Sequence, residues 1–453
     1  MGSYSAQVRA GETQAAVEVS DRKAYELAEL IDIAQRTNPE TRVAWENARQ
    51  AAIRAGMVAS TYYPMLAVQA AGAYEHVAST IPKSVDPRGF FRADARAVIP
   101  MVTLKWLMFD FGGREASLAS AKEQLAAANF GFNARHQKIV FDVTRAYYSL
   151  NTVSSRVEVA RSALRSAQTV QQAAESRLRQ GLTTAPEVLQ AREQAARAAY
   201  EVEEASALEI DARMALLEAM GVRPTSALQV ADLSQRPLPP ALEDAADKFV
   251  DTAFENRPDL LARVAVLRSK DAEIRKARAE YYPRITASGH LGQNIGQVRV
   301  NGAPWSTVNE PVYGIGIAIE VPLFDAGLRR KRLQLAQAER RAAEEELNLA
   351  RDRIEREVVK AYDDLKVAFR KREAAVALLD AADRAYASAL QSYRRGVATY
   401  VDVVTSQTNL TRAQTTDTET RALVFTATAA LAFNTGEIAP PLSGDFPASR
   451  NSR

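Results

Sequence analysis

At 453 residues the chain is long enough for two or three ordinary domains, and with 47% apolar and 25% charged residues its composition is globular rather than disordered. A net charge of +3, spread as alternating signs along predicted helices, gives no footing for a nucleic-acid binder. The absence of cysteine excludes disulfides and thiolate metal sites, and no run of 18 apolar residues offers a conventional transmembrane helix.

Residues 1–23 read as an aperiodic lead-in. Met1-Gly2-Ser3-Tyr4-Ser5 has neither the charged start nor the apolar core of a signal peptide, as expected of a cytosolic chain or one already processed. The first structural unit is predicted over 24–220. Residues 24–36 place Leu27, Leu30, Ile31 and Ala34 on one helical face, and Asn38-Pro39 stops that helix. An Ala-rich helix over 40–60 ends at Tyr62-Tyr63-Pro64. A strand pair follows over 65–108. Leu66, Val68, Ala70, Gly72 and Tyr74 alternate with Gln69, Ala71, Ala73 and Glu75, a polar loop covers 82–92, and the return strand runs over 97–107. After Phe109-Asp110-Phe111-Gly112 the pattern changes to an Ala/Leu/Arg/Glu-rich run.

That run, 114–180, has no proline and a single glycine, Gly131. As one helix it would extend ~100 Å at 1.5 Å per residue. Ile139, Val143, Ala146, Leu150, Val153, Val157, Ala160, Leu164 and Ala167 follow the 4-3 spacing of a coiled-coil seam. Gly181 ends the rod, and a helix of about 35 residues returns, closing a hairpin over 114–220. A Pro-rich linker is expected over 221–243.

The second unit, 244–436, repeats this order: helices over 246–255 and 260–280 around Arg257-Pro258, a strand pair over 284–323, and a helical hairpin over 328–435. Its clearest stretch is 312–330, where Tyr313, Ile315, Ile317, Ile319, Val321 and Leu323 alternate with Gly314, Gly316, Ala318, Glu320 and Pro322. The seam of its rod reads Ile354, Val358, Ala361, Leu365 and Ala368, then Arg372, then Ala375, Leu379 and Ala382. Residues 437–453, with Pro440-Pro441 and Pro447, read as a non-helical, mobile tail. Phe109 and Phe324 are one interval apart (324 − 109 = 215), as are Tyr147/Tyr362, Gly181/Gly396 and Gly221/Gly436. Upstream, Pro39/Pro258 are a slightly longer interval apart (258 − 39 = 219), as are Arg49/Arg268 and Tyr62/Tyr281. The chain is one unit written twice, and the register change must fall inside the strand pair, where a hairpin loop tolerates it.

Four strands of about ten residues, each with one apolar face and one polar or small face, suit a membrane-spanning β-barrel. Four strands close no barrel, and an open edge in lipid would leave backbone groups unpaired, so other copies must complete it. The expected fold class is therefore mainly α, with long coiled-coil hairpins and strands contributed to a shared transmembrane β-barrel.

The set Asn38-Pro39-Glu40, Tyr-Pro before each first strand, Pro322-Leu323-Phe324-Asp325-Ala326-Gly327 and two glycine-containing hairpin tips resembles the TolC-type outer-membrane efflux protein family over residues 24–436. The resemblance implies a homotrimer with a 12-stranded β-barrel in the outer membrane of a Gram-negative bacterium, and a hollow α-barrel crossing the periplasm. It implies the passive exit duct of a tripartite efflux or type I secretion system. The partners would be outer-membrane lipid, a periplasmic adaptor (membrane fusion) protein and, through it, an inner-membrane transporter. The competing reading is a periplasmic coiled-coil adaptor or spacer, which would normally carry one hairpin rather than two. A soluble helical-repeat scaffold leaves the alternating strands without a use.

Candidate functional residues follow. Gly181, Leu182, Gly396 and Val397 are either plain helix stops or, as the resemblance implies, adaptor-docking tips; an exposed Leu182 or Val397 fits a partner surface. Asp402 and Glu187 each lie six residues after a tip glycine. Either they are first-turn acids favoured by the helix dipole, or, by resemblance, Asp402 rings a pore constriction that binds cations. Thr405 stands where relatives often carry a second acid. Tyr393 matches a gating tyrosine, but Ala398 and Pro186 replace other gate residues, leaving Arg394 or Arg395 as substitutes. Lys105 and Glu320 share the inward parity of their strands and are expected to line the lumen in a structural role. Asp110 and Asp325 are expected to cap the rods, and Trp106 and Tyr313 are candidates for an interfacial girdle. His76, His136 and His290 are scattered. No nucleophile–base set or phosphate loop appears, so no enzyme activity, cofactor or metal is expected.

Overall fold

The computed structural model of the chain describes residues 23–85, 87–224, 228–233, 236–240 and 244–439. Of the expected lead-in 1–23 all but Lys23, and of the expected tail 437–453 everything from Pro440 onward, lie outside them. The elements in order are β1 (Ala24–Tyr25), α1 (Leu27–Thr37), α2 (Pro39–Ser60), β2 (Met65–Thr80), β3 (Phe90–Phe109), α3 (Gly113–Arg179) and α4 (Ala185–Met220). There follow β4 (Gln229–Val230), α5 (Ala246–Asn256), α6 (Pro258–Ala279), β5 (Arg284–Val300), β6 (Ser306–Glu320), α7 (Leu328–Arg394) and α8 (Tyr400–Asn434).

Both rods are unbroken helices of 67 residues. Of the expected seam, Ile139, Val143, Leu150, Val157 and Ala167 are buried on α3, and Ile354, Val358, Ala361, Leu365, Ala368, Ala375 and Ala382 on α7. The interrupting Arg372 donates to the Asp417 backbone carbonyl at 2.9 Å and pairs with the Asp417 carboxylate, so the charge in the seam is answered from α8.

The chain divides into two compact units. The first comprises 1–48, 128–262 and 348–453. Its principal core gathers Leu30, Val143, Tyr147, Leu216 and Met220, with Leu228 and Leu233 from the stretch expected to be a mere linker. That stretch is anchored as well as connecting: β4 pairs in parallel with β1 (Ala24↔Gln229, Tyr25↔Val230). Tyr147 and Arg421 donate to the backbone carbonyls of Ala231 and Leu233 at 3.2 and 3.0 Å. Its prolines bar helix, but the interleaved leucines give it apolar surface to bury. Gly221, with φ of +69°, ends α4 against the α1–α2 kink. A Cβ there would stand 2.7 Å from the Asn38 Cα. Gly436 closes the second repeat in the same way, 2.9 Å from the Asn256 backbone.

The second unit comprises 49–127 and 263–347. Its sheet is antiparallel throughout, in the order β2-β3-β5-β6. The strands have 16, 20, 17 and 15 residues, longer than the expected ten, because polar cross-strand pairs continue the ladder beyond the apolar stretch. The loops are 81–89 and 301–305. The four-residue difference in their lengths is the change of repeat interval expected from the sequence. At each strand-to-helix junction an aspartate caps the rod, as expected. Arg114 N–H donates to Asp110 at 2.7 Å and Arg329 N–H to Asp325 at 3.0 Å. Each arginine also stacks on a tyrosine, Arg114 on Tyr62 and Arg329 on Tyr281.

Candidate functional sites: the hairpin tips and the strand faces

Each rod ends in a Schellman turn. At the first tip Gly181 N–H donates to Leu178 and Leu182 N–H to Arg177, both at 2.9 Å; at the second Gly396 N–H donates to Tyr393 and Val397 N–H to Ser392. Gly181 and Gly396 carry φ of +72° and +81°, and nothing stands within 4 Å of a hypothetical Cβ at either, so left-handed backbone rather than crowding calls for glycine. The residues that follow point outward: Leu182 is 63% and Val397 78% exposed.

Just inside the tips the two hairpins lock together. Tyr393 is 1% exposed, packed with Val170, Ala174, Val188, Ala191, Tyr400 and Val403. Its hydroxyl donates to the Glu187 carboxylate at 2.7 Å, and Thr183 donates to the other oxygen of that carboxylate. The Arg177 guanidinium lies 4.7 Å from the Tyr393 ring and donates to the Tyr393 backbone carbonyl at 2.9 Å. Burial, reinforced by the hydrogen bond to Glu187, pushes the Tyr393 hydroxyl up to about 12. Arg177 went unrecognised in the sequence. Its counterpart one repeat interval on is Ser392, so internal symmetry gave no signal for it. Arg395, a sequence candidate for this lock, turns back onto Gln391 instead.

Asp402 is exposed at the first turn of α8, where it forms a capping box with Thr399. Its carboxylate accepts from the Thr399 hydroxyl at 2.7 Å and backbone N–H at 2.9 Å, and those bonds, the hydroxyl first, hold it below the usual carboxylate range. Thr405, one turn further, is also exposed. Asp402 and Thr405 are thus open to solvent, whereas Glu187 is committed to Tyr393.

The sheet has two unlike faces. One carries Val68, Val102, Leu291, Ile315, Ile317 and Ile319, with Ile315 97% exposed. From Trp106 to Val98 this apolar band runs roughly 26 Å along β3, about the height a membrane barrel presents to lipid. Trp106 sits at its helix-side edge, donating to the Tyr62 backbone carbonyl at 2.9 Å, while Tyr313 lies mid-band opposite Leu291. The other face carries Gln69, Thr103, Ser288 and His290, and Gly314 leaves room for the His290 ring. Lys105 stands on this face opposite Met65 and Ser288, and Glu320 on the same face opposite Arg284. Because β5 lies between β3 and β6, the two charges are not paired within one chain.

Among the described residues β2 and β6 are sheet edges without a neighbouring strand. A sheet with a lipid-compatible face and two open edges, continued into two 67-residue helices with exposed apolar tips, defines a class: the outer-membrane channel proteins. The comparisons agree. The family model described as outer membrane efflux protein matches residues 30–222 and 249–437, and the chain belongs to that family. Protein CyaE of Bordetella pertussis is 28% identical over 425 residues, covering 93% of this chain and 86% of that protein. Outer membrane protein OprJ of Pseudomonas aeruginosa is 27% identical, covering 66% of this chain and 61% of that protein. Among solved structures, the outer-membrane channel OprN superposes with a TM-score of 0.75 at 21% identity over 94% of this chain and 97% of that one. VceC of Vibrio cholerae gives 0.73 at 22% over 90% and 96%. The chain is therefore an outer-membrane efflux channel protein, and the adaptor reading falls away.

Proposed function

We propose that three copies pool their sheets into a twelve-stranded barrel and their hairpins into a hollow helical barrel, forming the passive exit duct of a tripartite efflux or type I secretion system. The observation that carries this is the pair of open strand edges beside a face on which Ile315, Ile317 and Ile319 are 97%, 70% and 67% exposed. In lipid those edges must be satisfied by other strands. Lys105 and Glu320 would line the lumen. Leu182 and Val397, beside Gly181 and Gly396, would dock on a periplasmic adaptor and through it couple to an inner-membrane transporter that supplies the energy. Three copies of Asp402 would gather negative potential at a constriction near the tips, with Thr405 one turn away, and Tyr393 with Glu187 would hold that end closed. We assign no catalytic chemistry to any of these groups.

Conductance in planar bilayers tests this reading. The parent channel is expected to prefer cations and Asp402→Ala to lose that preference; unchanged selectivity would remove Asp402 from the constriction. Replacing Leu182 and Val397 with Asp is expected to abolish adaptor capture while leaving conductance intact.

A further inference from the structure

Beyond Val98 and Ile295, on the side away from the helices, the lipid-facing parity changes character. Tyr74, His76, Arg92, Asp94, Arg96 and Arg299 follow the apolar band on the same face of β2, β3 and β5. Asp94 is buried and fully engaged: it accepts from Tyr74 at 3.1 Å and from Arg299 at 2.7 Å, and pairs with His76. Among the described residues of this face, three guanidinium groups (Arg92, Arg96 and Arg299) stand against this one carboxylate. Among the described residues Arg96 has a neutral hydrogen-bond partner alone, the Gln297 side-chain oxygen, reached by its Nε at 3.0 Å. The Trp305 ring lies 4.7 Å from Arg96 and 4.9 Å from Arg299, so one indole contacts two like charges.

Asp94 answers the Arg299 charge, whereas the Arg96 guanidinium is held by the Trp305 ring and a neutral amide, so an anion at Arg96 would meet a charge not already compensated. Beside Arg96 runs a shallow groove of about 600 Å³, floored by Gly72, Val98, Ile295 and Gly296 and flanked by Tyr74. Gln297 and Thr307 also line this groove near Arg96, and its apolar part reaches Val98 and Ile295 at the edge of the band, so an anion at Arg96 meets an apolar channel beside it. A soluble anion makes no use of that channel. An amphiphile with phosphate above and hydrocarbon below uses both.

We propose that this patch is a binding site for a phosphorylated, acylated saccharide lipid of the outer leaflet. Its phosphate would engage Arg96 and Arg92, and one acyl chain would lie along the groove. Arginine matches phosphate in a two-point fork. The inference rests on the channel reading, which puts the hairpin loops 81–89 and 301–305 on the outer side of the membrane.

Native mass spectrometry of the full chain in detergent tests it, using a bisphosphorylated hexa-acyl diglucosamine lipid as probe. The parent is expected to retain this lipid, and the Arg92→Gln/Arg96→Gln variant to lose roughly tenfold or more in affinity. The dephosphorylated lipid should bind the parent no better than the phosphorylated lipid binds the variant, a comparison that needs no variant to fold well. Equal affinity of parent and variant would overturn the proposal. So would phosphatidylglycerol binding as tightly as the saccharide lipid, or inorganic phosphate alone stabilising the parent as much. Bilayer conductance separates the two readings. Parent and variant that both conduct, with unchanged lipid binding, defeat only the lipid site; a parent that forms no channel defeats the reading beneath it.

Discussion

The Tyr393 hydroxyl reaches Glu187 from inside a packed cluster, so the bond that ties one hairpin tip to the other is partly shielded from water. Tyr393→Phe keeps the packing and deletes the bond, which is expected to cost roughly 1–2 kcal/mol of closed-tip stability and to raise the open probability of single channels in bilayers. The pH dependence has a definite sign. Because the folded-state value is raised from 10 to about 12, the contribution of this tyrosine is complete below pH 10 and is lost as pH rises between the two values. Recordings from pH 8 to 11.5 should show opening only toward the alkaline end, and Tyr393→Phe should abolish that rise. Asp402→Asn removes the charge but leaves a side-chain acceptor for Thr399. It is expected to lose cation preference with the α8 N-terminus intact, which separates a pore role from a capping role. At this scale the sequence singled out Tyr393 and Glu187 by their places beside the tip glycines, and the fold brings the two into contact. It hid Arg177, whose role depends on a ring from the other hairpin and on no local pattern.

Among the elements, the two rods were legible to within a residue, since the 4-3 seam and the absence of proline act locally. Strand lengths were not. Alternation of apolar residues marks the lipid band, whereas the extra residues are held by pairs such as Asp94 with Arg299, which look like loop composition until the register is known. The anchorage of the 221–243 stretch was hidden for a similar reason: its prolines dominate locally, and the pairing of β4 with β1 spans some 200 residues of chain. Two predictions belong here. Arg372→Ala strands the half-buried Asp417 carboxylate in the seam and is expected to cost about 1–3 kcal/mol, read as a lower unfolding temperature by circular dichroism; Arg372→Ala with Asp417→Ala should recover part of it. Gly221→Ala adds a Cβ 2.7 Å from Asn38 at a left-handed residue. It is expected to destabilise the first unit by roughly 2 kcal/mol or more, read the same way.

For the molecule as a whole, the sequence led to the expectation that one chain is insufficient, because four amphipathic strands do not close a barrel. The number three came from family resemblance, since closure depends on strand tilt and stagger that a single sheet leaves open. The internal repeat nevertheless makes the missing seam specific. Inside the chain the return strand β3 pairs with the outgoing strand β5, matching Leu104 to Gly289 and Val102 to Leu291. Shifting each partner by its own repeat interval carries the same seam to β6 of one copy and β2 of the next. Ile319 then falls opposite Ala70, and Ile317 opposite Gly72, with both pairs on the lipid face. The chain has no native cysteine to confuse the experiment. Oxidative cross-linking of an Ala70→Cys/Ile319→Cys variant in outer-membrane preparations is predicted to convert the 49.5 kDa chain into a covalent three-chain species on a non-reducing gel. Recovery of single chains only, whether with free thiols or with a bond closed inside one molecule, would contradict the shared barrel.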